Sequence, residues 1–488
     1  MGESTTVTTW NDLALRHWSG AARPAVLWPG GAWSGAELLA RAAGVARWLA
    51  GCGFVPRVGV PALVDGSPTA VALVVAGALG GMPIAPLGTR LRPAELAEAA
   101  AGLGSAGLVT TPDLIELARE VGGRAGLPVH VLPEPGDGPM PMWRPDADDV
   151  LVIVHTSGTT GAPKPVVVRH RAMVARVGIY DATMPIGPGD VFCSASPFHH
   201  TAAVNMALTV LGRGAAVVPQ PRFSVEGWRD MGRLGVTHAL LVPTMIDLLL
   251  EAGALADAHP RVLQYGAAPM DPGTLADALK VLPDIEFVQV YGQTEVSPVT
   301  ALSPADHARP ELLSTVGRAV AGVELRIERP DDDGVGELVL RAPHTFVHDE
   351  DGWRRTGDLG RMDAEGFVTL HGRTNDRIVR GGENIYPLEV ERALASCPGV
   401  REVAVVGVPD RRWGEVVKAV VVATEPGAPP TLEQLREHTA ATLAGFKRPT
   451  QLEVVDALPR SASGKVLRGR LIGPGADGLG AGPAEVAR

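Results

Sequence analysis

Residues 156–164 read Thr-Ser-Gly-Thr-Thr-Gly-Ala-Pro-Lys. Thr156, Ser157, Thr159 and Thr160 supply hydroxyls that donate to anionic oxygens, and Lys164 adds a cation. Gly158 and Gly161 let the backbone approach a ligand closely and adopt positive φ. Phosphate is the ligand this chemistry suits. The spacing is not that of a P-loop, which needs Gly, four residues and then Gly-Lys-Ser/Thr, whereas Gly158 to Lys164 runs G-T-T-G-A-P-K. Taken alone, the segment also reads as a surface loop.

Four further stations follow. Tyr291-Gly-Gln-Thr-Glu295 ends an apolar run and offers an aromatic face, a hydroxyl and a carboxylate suited to Mg²⁺. Alone, it also reads as a turn with a buried Glu. Arg355-Thr-Gly-Asp358 places a carboxylate that could grip the two hydroxyls of a ribose. Residues 372–387 form a Gly- and Arg-rich stretch, and 459–465 end in a glycine-flanked lysine, Lys465.

The elements that must position these stations are legible in outline. The apolar run at 150–154 reads as a buried strand leading into the first loop. Strands at 214–219, 238–242, 262–265 and 285–291 alternate with helices at 224–234, 243–251 and 271–279. Such alternation predicts parallel sheets covered by helices, with ligands at the carboxyl ends of the strands. Between 315 and 372 short strands and tight turns at 331–334 and 363–366 predict a small β subdomain. After Arg373 come a helix (387–395), strands (403–408, 416–423), a helix (432–443) and a strand (451–455), an α+β unit of independent folding size. The expected domains are 1–374 and 376–471, with a Gly-, Ala- and Pro-rich tail at 472–488 expected to be disordered.

Composition narrows the partners. A length of 488 residues corresponds to about three domain-sized units. A formal charge of -10 with no basic stripe argues against nucleic acid. The absence of a leader pattern and of any long apolar run predicts a cytoplasmic protein with no membrane partner. Cys52, Cys193 and Cys397 are odd in number and far apart, which predicts reduced structural thiols rather than disulfides or a zinc cluster.

Together, the five stations resemble the adenylate-forming superfamily of acyl-CoA synthetases, adenylation domains and luciferases, over about residues 10–471. The run Gly381-Gly-Glu-Asn-Ile-Tyr-Pro-Leu-Glu-Val-Glu391 looks most like aryl- and fatty-acyl-CoA ligases of the 4-chlorobenzoate type. The resemblance implies an α/β fold: a large N-terminal domain of parallel-sheet subdomains with a small β subdomain, then a small mobile α+β C-terminal domain. It implies ATP, Mg²⁺ and CoA as co-substrates and cofactor, and a hydrophobic carboxylic acid (aromatic, alicyclic or medium-chain) as substrate. The loop Thr156 to Lys164 would hold the β- and γ-phosphates. Gly266, Ala267, Ala268, Tyr291 and Gly292 would frame adenine, Thr294 would touch the α-phosphate, and Glu295 would bind Mg²⁺. Asp358 and Arg373 would bind ribose, and Lys465 would bridge the reacting oxygens. Gly381 and Gly382 would line the pantetheine tunnel, with Trp413, Phe446 and Arg448 at the CoA nucleotide. The acyl pocket would use His200 as a gate, with Asn205, Met206, Val242, Met245, Gly266 and Val296 as walls, and no charged residue to read a second polar group. The structural alternative for His200 is a hydrogen-bonded core histidine, and for the CoA residues ordinary packing at a domain edge.

Two positions depart from the family pattern. Asn375 stands at the hinge, where relatives carry Asp or Lys, and Pro165 follows Lys164 where a glycine is usual. Proline fixes φ and deletes an N–H. These departures motivate an alternative: an enzyme specialised for thioester formation, taking acyl-AMP from an upstream adenylating enzyme. A non-catalytic acyl-adenylate-binding protein is the other alternative. A monomer or homodimer is expected.

Overall fold

The computed structural model describes residues 7–156, 164–347, 349, 351–460 and 466–472. The chain divides into two compact units. The first comprises Met1–Arg326, Val339–Arg355 and Asp363–Val368; the second comprises Ile327–Leu338, Thr356–Met362 and Thr369–Arg488.

The first unit holds two large sheets. In one, Glu286–Gln293, Val262–Gly266, His238–Leu241, Val191–Ser194, Ala216–Pro219 and Pro24–Trp28 lie side by side, all parallel. Antiparallel strands finish it at both ends: Val296–Leu302 and Arg318–Ala319 at one, Gly31–Ser34 at the other. The second sheet runs Val129–Val131, Leu108–Thr110, Val60–Leu63, Ile84–Pro86, Val150–Thr156, Lys164–Arg169. The buried helix Pro68–Gly80 is apolar all round, as a helix packed on every side must be. It starts on the Ser67 cap with Pro68 in its first turn and stops at left-handed Gly81.

Alternation along the central strands builds a core on each side of the first sheet. Leu241, Leu263, Tyr265 and Phe287 pack with Trp228, Ile246, Leu249 and Leu275. Leu240, Val262, Val288 and Val290 pack with Met173, Val177, Met206 and Leu208. The β subdomain expected over 315–372 is a four-stranded sheet in the order Glu324–Glu328, Gly336–Arg341, Arg354–Met362, Val368–Arg373, and the division between units runs through its strands. Both expected turns are present: Gly334 N–H donates to Asp331 O at 2.9 Å and Gly366 N–H to Asp363 O at 3.0 Å.

In the second unit the long hairpin Val400–Asp410 and Gly414–Ala423 is flanked by Ile378–Arg380 with Glu383–Ile385 and by Gln451–Val454. The helix Pro387–Ala395 covers it. The helix expected over 432–443 ends at His438 and continues as a 3₁₀ turn, Thr439–Ala441. Thr439 Oγ1 donates to Leu435 O at 2.8 Å, competing with the helical ladder at that point. All three cysteines are free thiols, and among the described residues no helix is long and apolar enough to cross a membrane. From residue 473 the tail lies outside the described residues.

Candidate active site

The first station hangs from an antiparallel hairpin, Val150–Thr156 with Lys164–Arg169, in which Thr156 faces Lys164 and His155 faces Pro165. Ser157, Gly158, Thr159, Thr160 and Gly161 lie outside the described residues. Thr156 Oγ1 donates to Lys164 O at 3.4 Å, and Lys164 is exposed. Pro165 falls in the strand after the loop. That strand is the sheet edge, where a missing N–H is tolerated.

Tyr291-Gly-Gln-Thr-Glu295 sits where expected, at the carboxyl end of a parallel strand, before the chain turns back into Val296–Leu302. Gly292 is required here: a Cβ would lie 2.8 Å from the Ser297 side chain. The returning strand is held from two sides. His344 Nε2 donates to Pro298 O at 2.6 Å, and the Arg176 guanidinium donates to Ser297 O. Arg176 is 1% exposed and also reaches Thr209 Oγ1 at 2.9 Å, Tyr180 Oη at 3.4 Å and Met206 Sδ at 3.1 Å. No carboxylate pairs with it among the described residues. Arg354 Nη2 lies 3.3 Å from Glu295 Oε1.

Beside this turn, Gly266 ends its strand so close to the neighbour that a Cβ would meet Val290 O at 2.1 Å. Ala267 follows in a left-handed conformation, φ 67°, a rare and strained choice for alanine that concentrates at functional sites. Ala268 is half-buried next to it.

Of the expected acyl-pocket residues, Asn205 and Met206 are fully buried on the helix Val204–Gly212. His200 N–H closes the preceding turn onto Pro197 O at 2.9 Å. Its ring lies 4.1 Å from that of His199, and Nε2 has no hydrogen-bond partner among the described residues. Burial pushes the His200 pKa down to about 4, so the ring is neutral at physiological pH. The remaining walls are not gathered in one place. Met206 packs in the core on one face of the sheet, Met245 in the core on the other, and Val296 in a third cluster with Val299 and Leu340. Val242 caps the helix Pro243–Glu251. A cavity of about 20 Å³ lined by Phe192, Ser194, Phe198, Ala203, Ala207 and Val217 adjoins the helix carrying Asn205.

In the second unit Asp358, 8% exposed, pairs with Arg373 Nε at 3.0 Å. Asn375 is exposed in the short turn Thr374–Asp376. Gly381 and Gly382 take φ 60° and 91°, and a Cβ on Gly381 would lie 2.9 Å from the Trp413 ring. Trp413 is 41% exposed, with Arg380 and Arg412 5.5 and 5.0 Å from its ring. Phe446 packs on the unit's core and its carbonyl accepts from Arg380 Nη1 at 2.6 Å. Arg448 donates to Leu443 O at 3.0 Å and Ala440 O at 3.1 Å, so two backbone carbonyls engage its guanidinium. Lys465 is outside the described residues, but its flanks converge: Arg460 and Val466 pair as an antiparallel bridge, and Leu467 N–H donates to Pro459 O at 2.8 Å. Arg468 grips Glu391 at 2.6 and 2.7 Å.

Sequence reasoning missed Arg176, His344, Arg354, Arg380 and Arg412. Arg354, Arg380 and Arg412 carried a signal, each being next to a residue already singled out, whereas Arg176 and His344 carried none. Among the described residues no three His, Cys, Asp or Glu side chains gather as a metal cage. A lone Glu295 suits Mg²⁺, which keeps several waters and is shared with nucleotide phosphates.

The family model described as AMP-binding enzyme matches residues 18–347, and that described as AMP-binding enzyme C-terminal domain matches 389–465. The chain is 32% identical over 468 residues to a feruloyl-CoA synthase of an Amycolatopsis species, covering 89% of this chain and 92% of that one. It is 37% identical over 355 residues to the fatty acid–[acyl-carrier-protein] ligase ScoC of Streptomyces coeruleorubidus, covering 66% and 67%. Among solved structures, the amide bond synthetase McbA of Marinactinospora thermotolerans is similar with a TM-score of 0.85 and 31% identity, over 95% of this chain and 99% of that one.

Proposed function

This chain belongs to the AMP-binding enzyme family, and from that premise we propose that it is an AMP-forming acid–thiol ligase joining a hydrophobic carboxylic acid to CoA. The observation that carries the reading is the Thr294–Glu295 turn, fixed at the carboxyl end of the parallel strands beside left-handed Ala267. The half-reaction alternative finds no support at Pro165, because that residue lies on a sheet edge and not in the loop itself. A non-catalytic binder is equally disfavoured, since the relatives bear the names of ligases and synthetases.

A carboxylate is a poor electrophile because its oxygen leaves badly. Attack of a carboxylate oxygen on the α-phosphorus of ATP forms a C–O–P mixed anhydride and expels pyrophosphate. Two anions must meet, so the residues' work is electrostatic preorganisation. In this reading Thr156, Ser157, Gly158, Thr159, Thr160, Gly161 and Lys164 hold the β- and γ-phosphates, and Thr294 donates to the α-phosphate. Asp358 and Arg373 hold the ribose, while Gly266, Ala268 and Tyr291 bound the adenine. Glu295 would hold Mg²⁺, which when bound supplies charge neutralisation at the phosphates. Lys465 spans the carboxylate and α-phosphate oxygens. His200, neutral and buried, closes the acyl side without placing a charge beside the acid. Rotation about Asn375 then replaces Lys465 by the Gly381–Gly382 loop. The CoA thiol attacks the acyl carbon, and AMP leaves. Trp413, with Arg380 and Arg412 around its ring, suits a stacked, phosphorylated nucleotide, which favours CoA over an amine acceptor.

The test is a panel of carboxylic acids with ATP, Mg²⁺ and labelled pyrophosphate, beside synthetic acyl-AMP with CoA, acyl-carrier protein or an amine. Acid-dependent exchange and CoA thioester formation are expected. Thioester from acyl-AMP without any exchange would sink the two-step reading. Lys465→Ala should lower adenylation by about 10²- to 10³-fold and leave the thioester step within a few fold.

A further inference from the structure

Glu295 has one cationic partner among the described residues, Arg354, whose Nη2 is 3.3 Å from Oε1. Both side chains are largely sheltered, at 19% and 23% exposure, so water screens the pair weakly. Glu295 is also held through its backbone, since its carbonyl accepts Phe346 N–H at 2.8 Å. The carboxylate is therefore fixed in place while its charge is already neutralised. Arg354 has a second acid within reach: Nη1 lies 3.8 Å from Asp349 Oδ1. Its Nε is buried and has no hydrogen-bond partner among the described residues, so the guanidinium is not fully committed to its present position.

We infer that Arg354 is a built-in counter-ion of Glu295 that a divalent cation entering with the nucleotide must displace, and that Asp349 receives the displaced guanidinium. This rests on the reading of Glu295 as the metal-holding carboxylate. Mg²⁺ and a guanidinium compete for the same oxygens, so binding of the cation is weakened by whatever the Arg354 pair contributes. The pair also keeps the Thr294–Glu295 turn in its working geometry while no metal nucleotide is present. Arg354 is thus a positioning residue acting through Glu295, and its signature is in the metal requirement.

The measurement is Mn²⁺ binding to the full-length protein with saturating ATP and no acid, followed by electron paramagnetic resonance, with Mg²⁺ half-saturation of pyrophosphate exchange as a second readout. The pair is sheltered more than an exposed ion pair and less than a fully buried one, so a shift of roughly tenfold is the scale for a competing cation. Arg354→Gln and Arg354→Met should each lower the Mn²⁺ half-saturation by about tenfold, and Arg354→Lys should restore most of it. Asp349→Asn, which removes the receiving charge, should raise it. In a Glu295→Gln background, substituting Arg354 should change nothing. An unchanged or raised Mn²⁺ requirement in both Arg354→Gln and Arg354→Met overturns the inference while leaving the ligase reading intact. Normal Mn²⁺ affinity in Glu295→Gln itself would overturn both this inference and the metal role of Glu295.

Discussion

Arg176 in the first unit and Arg468 in the second both brace a chemistry-bearing segment, yet they are held in opposite ways. Arg176 is buried and donates to a backbone carbonyl, two hydroxyls and a thioether, with no carboxylate near it among the described residues. Arg468 is 23% exposed at its side chain and grips the Glu391 carboxylate, with Asp376 3.8 Å away. A buried cation without a counter-charge leaves a positive field beside the turn carrying Thr294 and Glu295, where a carboxylate and a triphosphate would have to meet. A paired cation leaves little field and fixes geometry alone. Arg176 therefore acts through its field and Arg468 acts as a tie.

The sharpest way to break this contrast is Arg176→Ala. It removes the donor to Ser297 O, Thr209 Oγ1 and Tyr180 Oη and leaves a cavity, and should cost about 3–5 kcal/mol in urea unfolding. Arg176→Met fills the space without the charge and should recover a large part of that loss. If Arg176→Met regains stability while pyrophosphate exchange stays depressed, the field matters beyond the packing. Full exchange in Arg176→Met would reduce Arg176 to a structural residue.

The second expected effect follows pH. Burial lowers the His170 pKa to about 4 from the ordinary 6.5, and its Nδ1 accepts the Trp10 N–H at 3.2 Å, which requires the neutral ring. The unfolded chain takes up a proton near pH 6.5 and the folded chain does not. This stability is complete above that pH and falls away between about 6.5 and 4. The ceiling is roughly 3 kcal/mol for His170 alone, at 1.36 kcal/mol per unit. His155, His199, His200 and His344 are pushed down by the same cause, so the first unit should be acid-sensitive as a whole. His170→Asn keeps an acceptor without titrating, and should reduce the slope of urea unfolding stability between pH 7 and 4 by the His170 share, leaving that of the other four histidines. An unchanged slope would contradict the burial argument.

Third, Glu391→Gln in the second unit should cost about 1.5–3 kcal/mol, the range for hydrogen bonds to charged groups. Glutamine can still accept the Val405 N–H that Glu391 now accepts at 2.8 Å, so the loss reports the Arg468 tie. The same variant should lower adenylation more than thioester formation, because Arg468 lies three residues beyond Lys465.

Local patterns made much of this legible from the amino acids. The apolar run before Thr156, the parallel strand ending at Tyr291-Gly-Gln-Thr-Glu295 and the turns at 331–334 and 363–366 rest on neighbouring residues, and each is present. What stayed hidden depends on distance along the chain. Arg176 sits in a helix whose neighbours show no special pattern, and its carbonyl partner is 121 residues away. Arg354 meets Glu295 across 59 residues. The contacts of Arg448 with the Leu443 and Ala440 carbonyls were likewise not legible from its neighbours. That Met206 and Met245 pack in different cores depends on the sheet between them and not on their neighbours in sequence.

The smallest effect compares one left-handed bend in each unit. The second uses glycines, Gly381 at φ 60° and Gly382 at 91°, which take that conformation without a Cβ penalty. The first uses Ala267 at φ 67°, at a cost of roughly 1–2 kcal/mol. Ala267→Gly removes that cost but adds unfolded-state entropy of about 0.5–1 kcal/mol, so the net gain in urea unfolding should stay near or below 1 kcal/mol. Ala267→Val should lose a comparable amount, since a β-branched residue tolerates positive φ worst. The informative readout is ATP binding: if the alanine holds the adenine edge rigid, Ala267→Gly should be the more stable protein and the weaker ATP binder. Equal affinity would mean that the bend, like those at Gly381 and Gly382, needs only to be reachable and not fixed.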